Sequence, residues 1–217
     1  MRAIFAVLLL FPTIAVGQTL NDLTLRWGVR NKTTYRMLEF NQNCGRWTAP
    51  DIVYIKFNNR YQELSIGGGG VLFNSKHVKI VHEEYFVQAM GPDAKSARYV
   101  QPWTKVKYTL TPRLGGEAVY FPYLPVNRAG NFQQVVERAK LEYDFKRFKL
   151  GGGYGAYDPG KDQAWQHRPF LTGTLKSRWG DLELWLQRLP QPPPPEPPQR
   201  GFQIQIRYAV TFIVEEK

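Results

Sequence analysis

The segment AKLEYDFKRFKLGGGYGA, residues 139–156, alternates apolar and polar side chains on both sides of a short central turn. Successive side chains of a β-strand point to opposite faces, so this alternation predicts two strands, each with one apolar and one polar face. A turn at residues 146–147 sets the register of the predicted hairpin. On its polar face Asp144 then lies opposite Lys149, an opposite-charge cross-strand pair.

The rest of that polar face combines long charged side chains with glycines. The register predicts three such pairs, which are Arg138 with Gly155, Lys140 with Gly153 and Glu142 with Gly151. A long side chain needs an empty neighbour where space is short, so this pattern favours a crowded interior such as that of a barrel.

Similar alternation recurs along the chain, and no period of 3.6 residues indicates a helix. The predicted strands lie near residues 22–30, 33–40, 51–57, 61–73, 76–89, 97–111, 114–124, 134–146, 148–157, 169–177, 181–189 and 201–213. We therefore expect an all-β fold of about 12 strands, with 10 as the alternative if residues 18–60 pair differently. In the stretch 76–90 the apolar positions change phase, which predicts a β-bulge near Ile80 and Val81.

Strand length separates two kinds of β protein. Residues 202–212 alternate strictly, with Phe202, Ile204 and Ile206 on one face and Gln203 and Gln205 on the other. Strands of water-soluble sandwiches usually have about 5–6 residues, whereas a tilted membrane strand needs about 9–11. The long alternation favours a membrane barrel, and an exported soluble β-sandwich that serves as a binding module stays open as the alternative.

Connections between the predicted strands alternate in length. The connections at 190–200, 158–168 and 125–133 are long, whereas those at 178–180 and 146–147 are short. This pattern resembles bacterial outer-membrane β-barrels in a generic way, without a specific family motif. The resemblance implies a closed, antiparallel, up-and-down transmembrane β-barrel in the outer membrane, in contact with its lipid, with short periplasmic turns.

The N-terminus has the pattern of a secretory signal. Residues 1–17 combine a positive start, an apolar run and small residues before a cut at Gln18. Residues 18–217 are then a single β-barrel domain, with a proline-rich loop at 190–200. No apolar run reaches the roughly 18–20 residues that a transmembrane helix needs. Cys44, the only cysteine, excludes an intrachain disulfide.

Positive charge on the polar faces points to a function. The net charge is +11. The residues predicted to face the lumen and its solute are Lys105, Lys107, Arg138, Lys140, Glu142, Asp144, Lys149 and Arg207. These residues predict a narrow pore with a basic, salt-bridged lumen for small anionic or polar solutes.

Other chemistries find little support in the sequence. The three histidines lack the spacing of a metal site, we expect no cofactor, and the dispersed charge does not indicate nucleic-acid binding. Ser75 and His77 are the one candidate catalytic pair, and we favour a barrel without enzymatic activity. A structural or adhesive barrel and a lipid-processing barrel remain alternatives.

Overall fold

The computed structural model describes residues 20–30, 35–160, 163–178, 180–189 and 201–213, which form one β-sheet. Its strands are β1 (Leu20–Arg30), β2 (Arg36–Cys44), β3 (Trp47–Lys56), β4 (Gln62–Asn74), β5 (Val78–Met90), β6 (Arg98–Thr111), β7 (Leu114–Pro125), β8 (Gln133–Asp144), β9 (Phe148–Asp158), β10 (Gln166–Ser177), β11 (Gly180–Arg188) and β12 (Phe202–Ile213). A 3₁₀ turn, Pro92–Ala94, lies between β5 and β6. Within these ranges we find no helix of the length and apolar character needed to span a bilayer.

The sheet closes on itself. Every strand pairs antiparallel with its neighbours in sequence, and β1 pairs with β12 from Asp22 opposite Ile213 to Arg30 opposite Gln205. The prediction of a closed, up-and-down, all-β barrel is confirmed, with 12 strands rather than 10. Closure excludes the open two-sheet sandwich.

The connections differ at the two ends of the barrel. At one end, which we call the turn end, five connections have two or three residues each: 45–46, 75–77, 112–113, 145–147 and 178–179. At the other, the loop end, the connections are longer: 31–35, 57–61, 91–97, 126–132, 159–165 and 189–201. The alternation predicted for the second half of the chain therefore extends through the first half.

Strands β2 and β3 lie closer together in sequence than predicted. We expected them near 33–40 and 51–57, but only residues 45–46 separate β2 from β3. Asn41 and Asn43 continue β2, because the polar side chains of this strand face the barrel interior. Pro50 lies inside β3 at a shift in the pairing with β4, where a proline is tolerated.

The pairing predicted for the hairpin of residues 139–156 is largely confirmed. Asp144 pairs with Lys149, Glu142 with Gly151 and Lys140 with Gly153. The pairing of Arg138 with Gly155 is wrong, because the register shifts between Val136 and Ala139. A bulge at this point brings Arg138 and its neighbour Glu137 to the interior together.

The bulge predicted in β5 lies in its partner strand. The register shift falls between Val71 and Phe73 of β4, opposite Ile80 and Val81, whereas β5 pairs with β6 without interruption. The change of phase has another cause: Val81, Glu83, Tyr85, Val87 and Ala89 all point inward and are buried.

The outer wall of β8–β12 is apolar. Leu171, Leu175 and Leu184 are 64%, 54% and 46% exposed on this wall. Along their strands they alternate with polar residues that face inward. Leu171 pairs with Leu186, so these side chains form a continuous surface. An exposed apolar band of this extent suits contact with lipid rather than water.

Two predictions lie outside the described residues. They are the signal peptide at residues 1–17 and the proline-rich loop at 190–200. Both stay predictions.

Candidate functional site

The barrel encloses a cavity of about 1220 Å³. The structure places all eight residues predicted to face the lumen on the wall of this cavity, namely Lys105, Lys107, Arg138, Lys140, Glu142, Asp144, Lys149 and Arg207. Whether a solute contacts them stays a prediction. Their neighbours in the cavity show how the interior is filled.

One group of charged side chains connects strands that are not neighbours. We call it the ionic network and define it as Glu117, Glu137, Arg138, Lys140, Glu142, Glu183 and Arg207. Lys140 Nζ of β8 donates to Glu183 Oε1 of β11 at 2.6 Å. Arg207 Nη2 of β12 donates to Glu137 Oε1 of β8 at 2.8 Å. These contacts join strands three and four places apart in the sheet, so the side chains extend through the interior.

The cations of β8 also bind carboxylates on their own strand and on the adjacent strand β7. Arg138 Nε donates to Glu117 Oε1 at 2.5 Å, and Arg138 Nη1 donates to Glu137. Lys140 Nζ lies 3.1 Å from Glu142 Oε2 and 3.6 Å from Glu117 Oε1. The side chains of Arg138, Lys140 and Arg207 are at most 10% exposed. Buried charges need such partners, because removing them from water is costly.

Glycines leave room for this network. Gly151 and Gly153 of β9 lie between β8 and β10, and a Cβ at position 153 would come within 2.7 Å of Phe170 Cζ. Phe170 stacks on Trp185 with ring centroids 4.2 Å apart, and the Arg207 guanidinium lies 4.5 Å from the centroid of the same indole. Trp185 is only 2% exposed, so this part of the lumen is filled by side chains.

A second group lies on the opposite side of the interior. We call it the tyrosine–carboxylate cluster and define it as Asp51, Tyr61, Glu63, Glu83, Tyr85 and Tyr123. The Tyr85 hydroxyl lies 2.8 Å from Asp51 Oδ2 and 3.0 Å from Glu83 Oε2. The hydroxyls of Tyr61 and Tyr123 donate to the two oxygens of Glu63, at 2.8 Å and 2.9 Å. Glu63 is 3% exposed, so these hydroxyls supply the donors that water would otherwise provide.

The sequence analysis did not identify the tyrosines that bind Glu63. In β5, Glu83 and Tyr85 share one face at a spacing of two, but the other face carries His82 and Glu84. Because both faces carry a carboxylate, alternation alone does not identify the interior face of this strand.

An apolar cluster narrows the interior toward the loop end. Tyr85, Val87, Ala89, Tyr99 and Tyr123 pack against Ala94 and Ala97 of the connection between β5 and β6. Val87 is fully buried and Ala89 is 1% exposed. The connection therefore folds inward over this side of the barrel instead of extending away from it.

Charge on the described wall is nearly balanced. The cavity is lined by ten lysine and arginine residues and eleven aspartate and glutamate residues. The predicted basic excess is therefore not a property of the described wall as a whole. It depends on position, because the tyrosine–carboxylate cluster is acidic and cations concentrate elsewhere.

The candidate catalytic pair does not form a nucleophile and base. Ser75 Oγ accepts hydrogen bonds from the backbone N–H groups of His77 and Val78, and it donates to the Val78 carbonyl. His77 Nδ1 lies 3.2 Å from the Thr109 carbonyl oxygen instead. Ser75 thus stabilises the turn between β4 and β5. Across the described part of the chain, no group of three or more His, Cys, Asp or Glu side chains is placed to hold a metal ion.

Comparison with known proteins gives the same picture of the fold. No protein-family model matches the sequence, and no curated protein does. Among solved structures, a KdgM porin in complex with disordered oligogalacturonate matches with a TM-score of 0.60 and 10% identity, over 89% of this chain and 99% of that chain. The barrel has a porin fold. A NanC porin matches with a TM-score of 0.57 and 9% identity, over 88% of this chain and 100% of the porin.

Proposed function

We propose that the protein is an outer-membrane pore for small polar solutes. The observation that carries the proposal is a charged cavity enclosed by a 12-strand barrel whose outer wall exposes leucine and isoleucine. A closed barrel pairs its backbone groups within the sheet, which is the condition for strands to lie in lipid. The likeness to porins supports the same reading of the fold.

Outer-membrane barrels orient short turns toward the periplasm and long loops outward. By that rule the turn end of this barrel faces the periplasm, and the loop end, with its inward-folded connection, faces the exterior. Export by the signal at residues 1–17 belongs to the same proposal.

Cations at the turn end support a mild preference for anions. Arg46 and Arg113 lie in short connections, and Lys79 and Lys149 are the second residues of β5 and β9. Among the described acids of the cavity wall, Asp144 and Asp181 lie equally close to this end. Lys105 and Lys107 of β6 continue the positive region inward, so an anion meets a favourable potential there. The KdgM porin holds an oligogalacturonate, which is an anionic oligosaccharide, and we propose anionic or polar solutes of small size here.

The first experiment tests the membrane location and the pore together. Purified in detergent, the barrel is expected to resist SDS until it is boiled and to migrate differently after heating. In a planar bilayer it is expected to conduct ions. A chain that is monomeric and soluble without detergent overturns the membrane location. A heat-modifiable barrel without conductance above background overturns the pore and leaves a structural or adhesive barrel.

The second experiment tests selectivity. The triple variant Lys79→Glu, Lys105→Glu, Lys107→Glu reverses three charges on the cavity wall and is expected to turn anion preference into cation preference. Lys140 is left in place because it is bound to Glu183 and Glu142. The control Lys76→Glu, Lys146→Glu, Arg147→Glu changes the same number of charges in exposed turns at the same end, outside the cavity wall. Equal reversal potentials for the two triple variants contradict the assignment.

A further inference from the structure

Two cations lie opposite each other on the outer wall at the loop end. Arg36 is the first residue of β2 and Lys56 is the last residue of β3, and the register pairs them. We call these two residues the cation pair. Their neighbours Met37 and Ile55 line the cavity, and successive side chains of a strand point to opposite faces. The cation pair therefore points outward, away from the lumen.

Within the described residues, no acidic side chain balances the cation pair. Its other cross-strand neighbours are Val29 and Gln62, and neither cation forms an ion pair with a described carboxylate. Like charges directly opposite each other destabilise a pair of strands. Elsewhere in the described sheet the register opposes two cations at Lys79 and Lys107, and there Glu117 lies on the other side of Lys107. The cation pair lacks such a counter-charge, so an anion from outside the chain would stabilise it.

The outer wall next to the cation pair, toward the middle of the barrel, is apolar. Leu38 lies opposite Tyr54, and Phe40 lies opposite Ile52. Leu38 and Ile52 are exposed. The outer surface of β2 and β3 therefore changes from apolar to cationic at the loop end. A phosphorylated lipid has the complementary arrangement, with apolar chains toward the bilayer centre and an anionic headgroup at the membrane surface.

We propose that the cation pair, together with Gln62, binds the phosphate of a lipid headgroup in the leaflet that the loop end reaches. The guanidinium of Arg36 presents a planar fork of donors that suits phosphate oxygens, and the ammonium of Lys56 adds a second positive charge. Gln62 lies opposite Lys56, and the Tyr54 hydroxyl donates to Gln62 Oε1. The amide N–H groups of Gln62 are thus left as donors beside the cations.

This proposal rests on the membrane location and orientation proposed above, but not on the pore. A barrel that binds the lipid phosphate without conducting ions would keep the site and remove the pore. A conducting barrel without phosphate-dependent lipid binding would do the reverse. Heat modifiability serves as the common check that each variant is folded as a barrel.

Native mass spectrometry of the full chain in detergent tests the site, with phosphorylated lipid A and chemically dephosphorylated lipid A as probes. We expect the barrel to retain the phosphorylated lipid and to bind the dephosphorylated lipid at background level. Arg36→Gln with Lys56→Gln is expected to weaken binding of the phosphorylated lipid about 30-fold, because two surface cations are lost. The control Arg128→Gln with Arg188→Gln removes two exposed cations at the same end, away from the cation pair, and is expected to bind as the wild type does.

Two further measurements keep the test decisive. If the double variant does not fold, Arg36→Gln alone changes one exposed side chain and is expected to weaken binding about fivefold. Millimolar inorganic phosphate, at an ionic strength held constant with chloride, is expected to leave the lipid bound, since it lacks the apolar contacts. Displacement by inorganic phosphate would show a site for free anions and overturn the assignment to a lipid. Equal binding of the two lipids, or equal losses in the two double variants, also overturns the proposal.

Discussion

In the ionic network, full charges pair across the lumen, whereas in the tyrosine–carboxylate cluster neutral hydroxyls donate to carboxylates. Both arrangements connect strands that are not neighbours: Lys140 of β8 reaches Glu183 of β11, and Tyr123 of β7 reaches Glu63 of β4. They respond differently to the loss of one member. A deleted carboxylate leaves buried cations unpaired, whereas a deleted hydroxyl leaves a carboxylate with one donor fewer. The difference predicts a ranking of stability losses.

The largest effect is expected at Glu137, which binds both Arg138 and Arg207. Glu137→Ala removes the carboxylate that binds Arg207 and one of the two that bind Arg138, and breaking a buried pair costs about 3–5 kcal/mol. The measurement is the free energy of unfolding in urea with the barrel in lipid vesicles. Asp93→Ala is the control: Asp93 pairs with Arg60, but both side chains are about half exposed or more, so about 0–1 kcal/mol is expected. Equal losses in the two variants would contradict the ranking.

A smaller loss is expected in the tyrosine–carboxylate cluster. Tyr85→Phe removes the hydroxyl that contacts Asp51 and Glu83, and a lost hydrogen bond to a charged group costs about 1.5–3 kcal/mol. Tyr120→Phe is matched, since Tyr120 donates to Gln134 at 2.9 Å but is 41% exposed on the outer wall. The same urea titration applies. A larger loss of stability for Tyr85→Phe than for Glu137→Ala would contradict the ranking of the ionic network above the tyrosine–carboxylate cluster.

The smallest loss of stability is expected at the glycines that leave room for the ionic network and for the tyrosine–carboxylate cluster. A Cβ at Gly153 would come within 2.7 Å of Phe170, and one at Gly67 within 2.7 Å of Tyr85. Overpacking costs about 1–3 kcal/mol, from which the backbone gain of replacing glycine by alanine, about 0.5–1 kcal/mol, is subtracted. We expect Gly153→Ala and Gly67→Ala to lower the free energy of unfolding by similar amounts.

Gly173→Ala is the control for both glycine variants. Its Cβ would meet Leu150 at 3.4 Å, an ordinary contact, so no loss of stability is expected. A loss at Gly173 equal to that at Gly153 would mean that conformational effects, rather than space, explain the other two.

The sequence predicted the fold and the neighbour pairs because both depend on local alternation. The pairing of Asp144 with Lys149, and the inward direction of Lys140 and Glu142, follow from the register of one hairpin. The partner of Lys140 does not, since Glu183 lies three strands away, and alternation carries no information about which inward residues meet across a closed barrel.

Two other errors have local causes. Residues 41–50 were left outside the predicted strands, although Asn41 and Asn43 continue the inward polar face of β2. In β5, the change of phase at Val81 and Val87 was attributed to a bulge, but both side chains are buried on the inner face. Val87 faces inward because it packs in the apolar cluster near the loop end.

The seam between β1 and β12 makes the barrel depend on both ends of its chain. Nine residue pairs join these strands, and every other pairing in the sheet is between strands that are neighbours in sequence. Loop-closure entropy grows only slowly with chain length, so this distant pairing adds little to the thermodynamic cost of folding. Its consequence is kinetic: until β12 arrives, β1 and β11 each present an unpaired edge that lipid cannot solvate. Assembly in the bilayer is therefore complete only when the hairpin of β11 and β12 has formed and β12 has paired with β1.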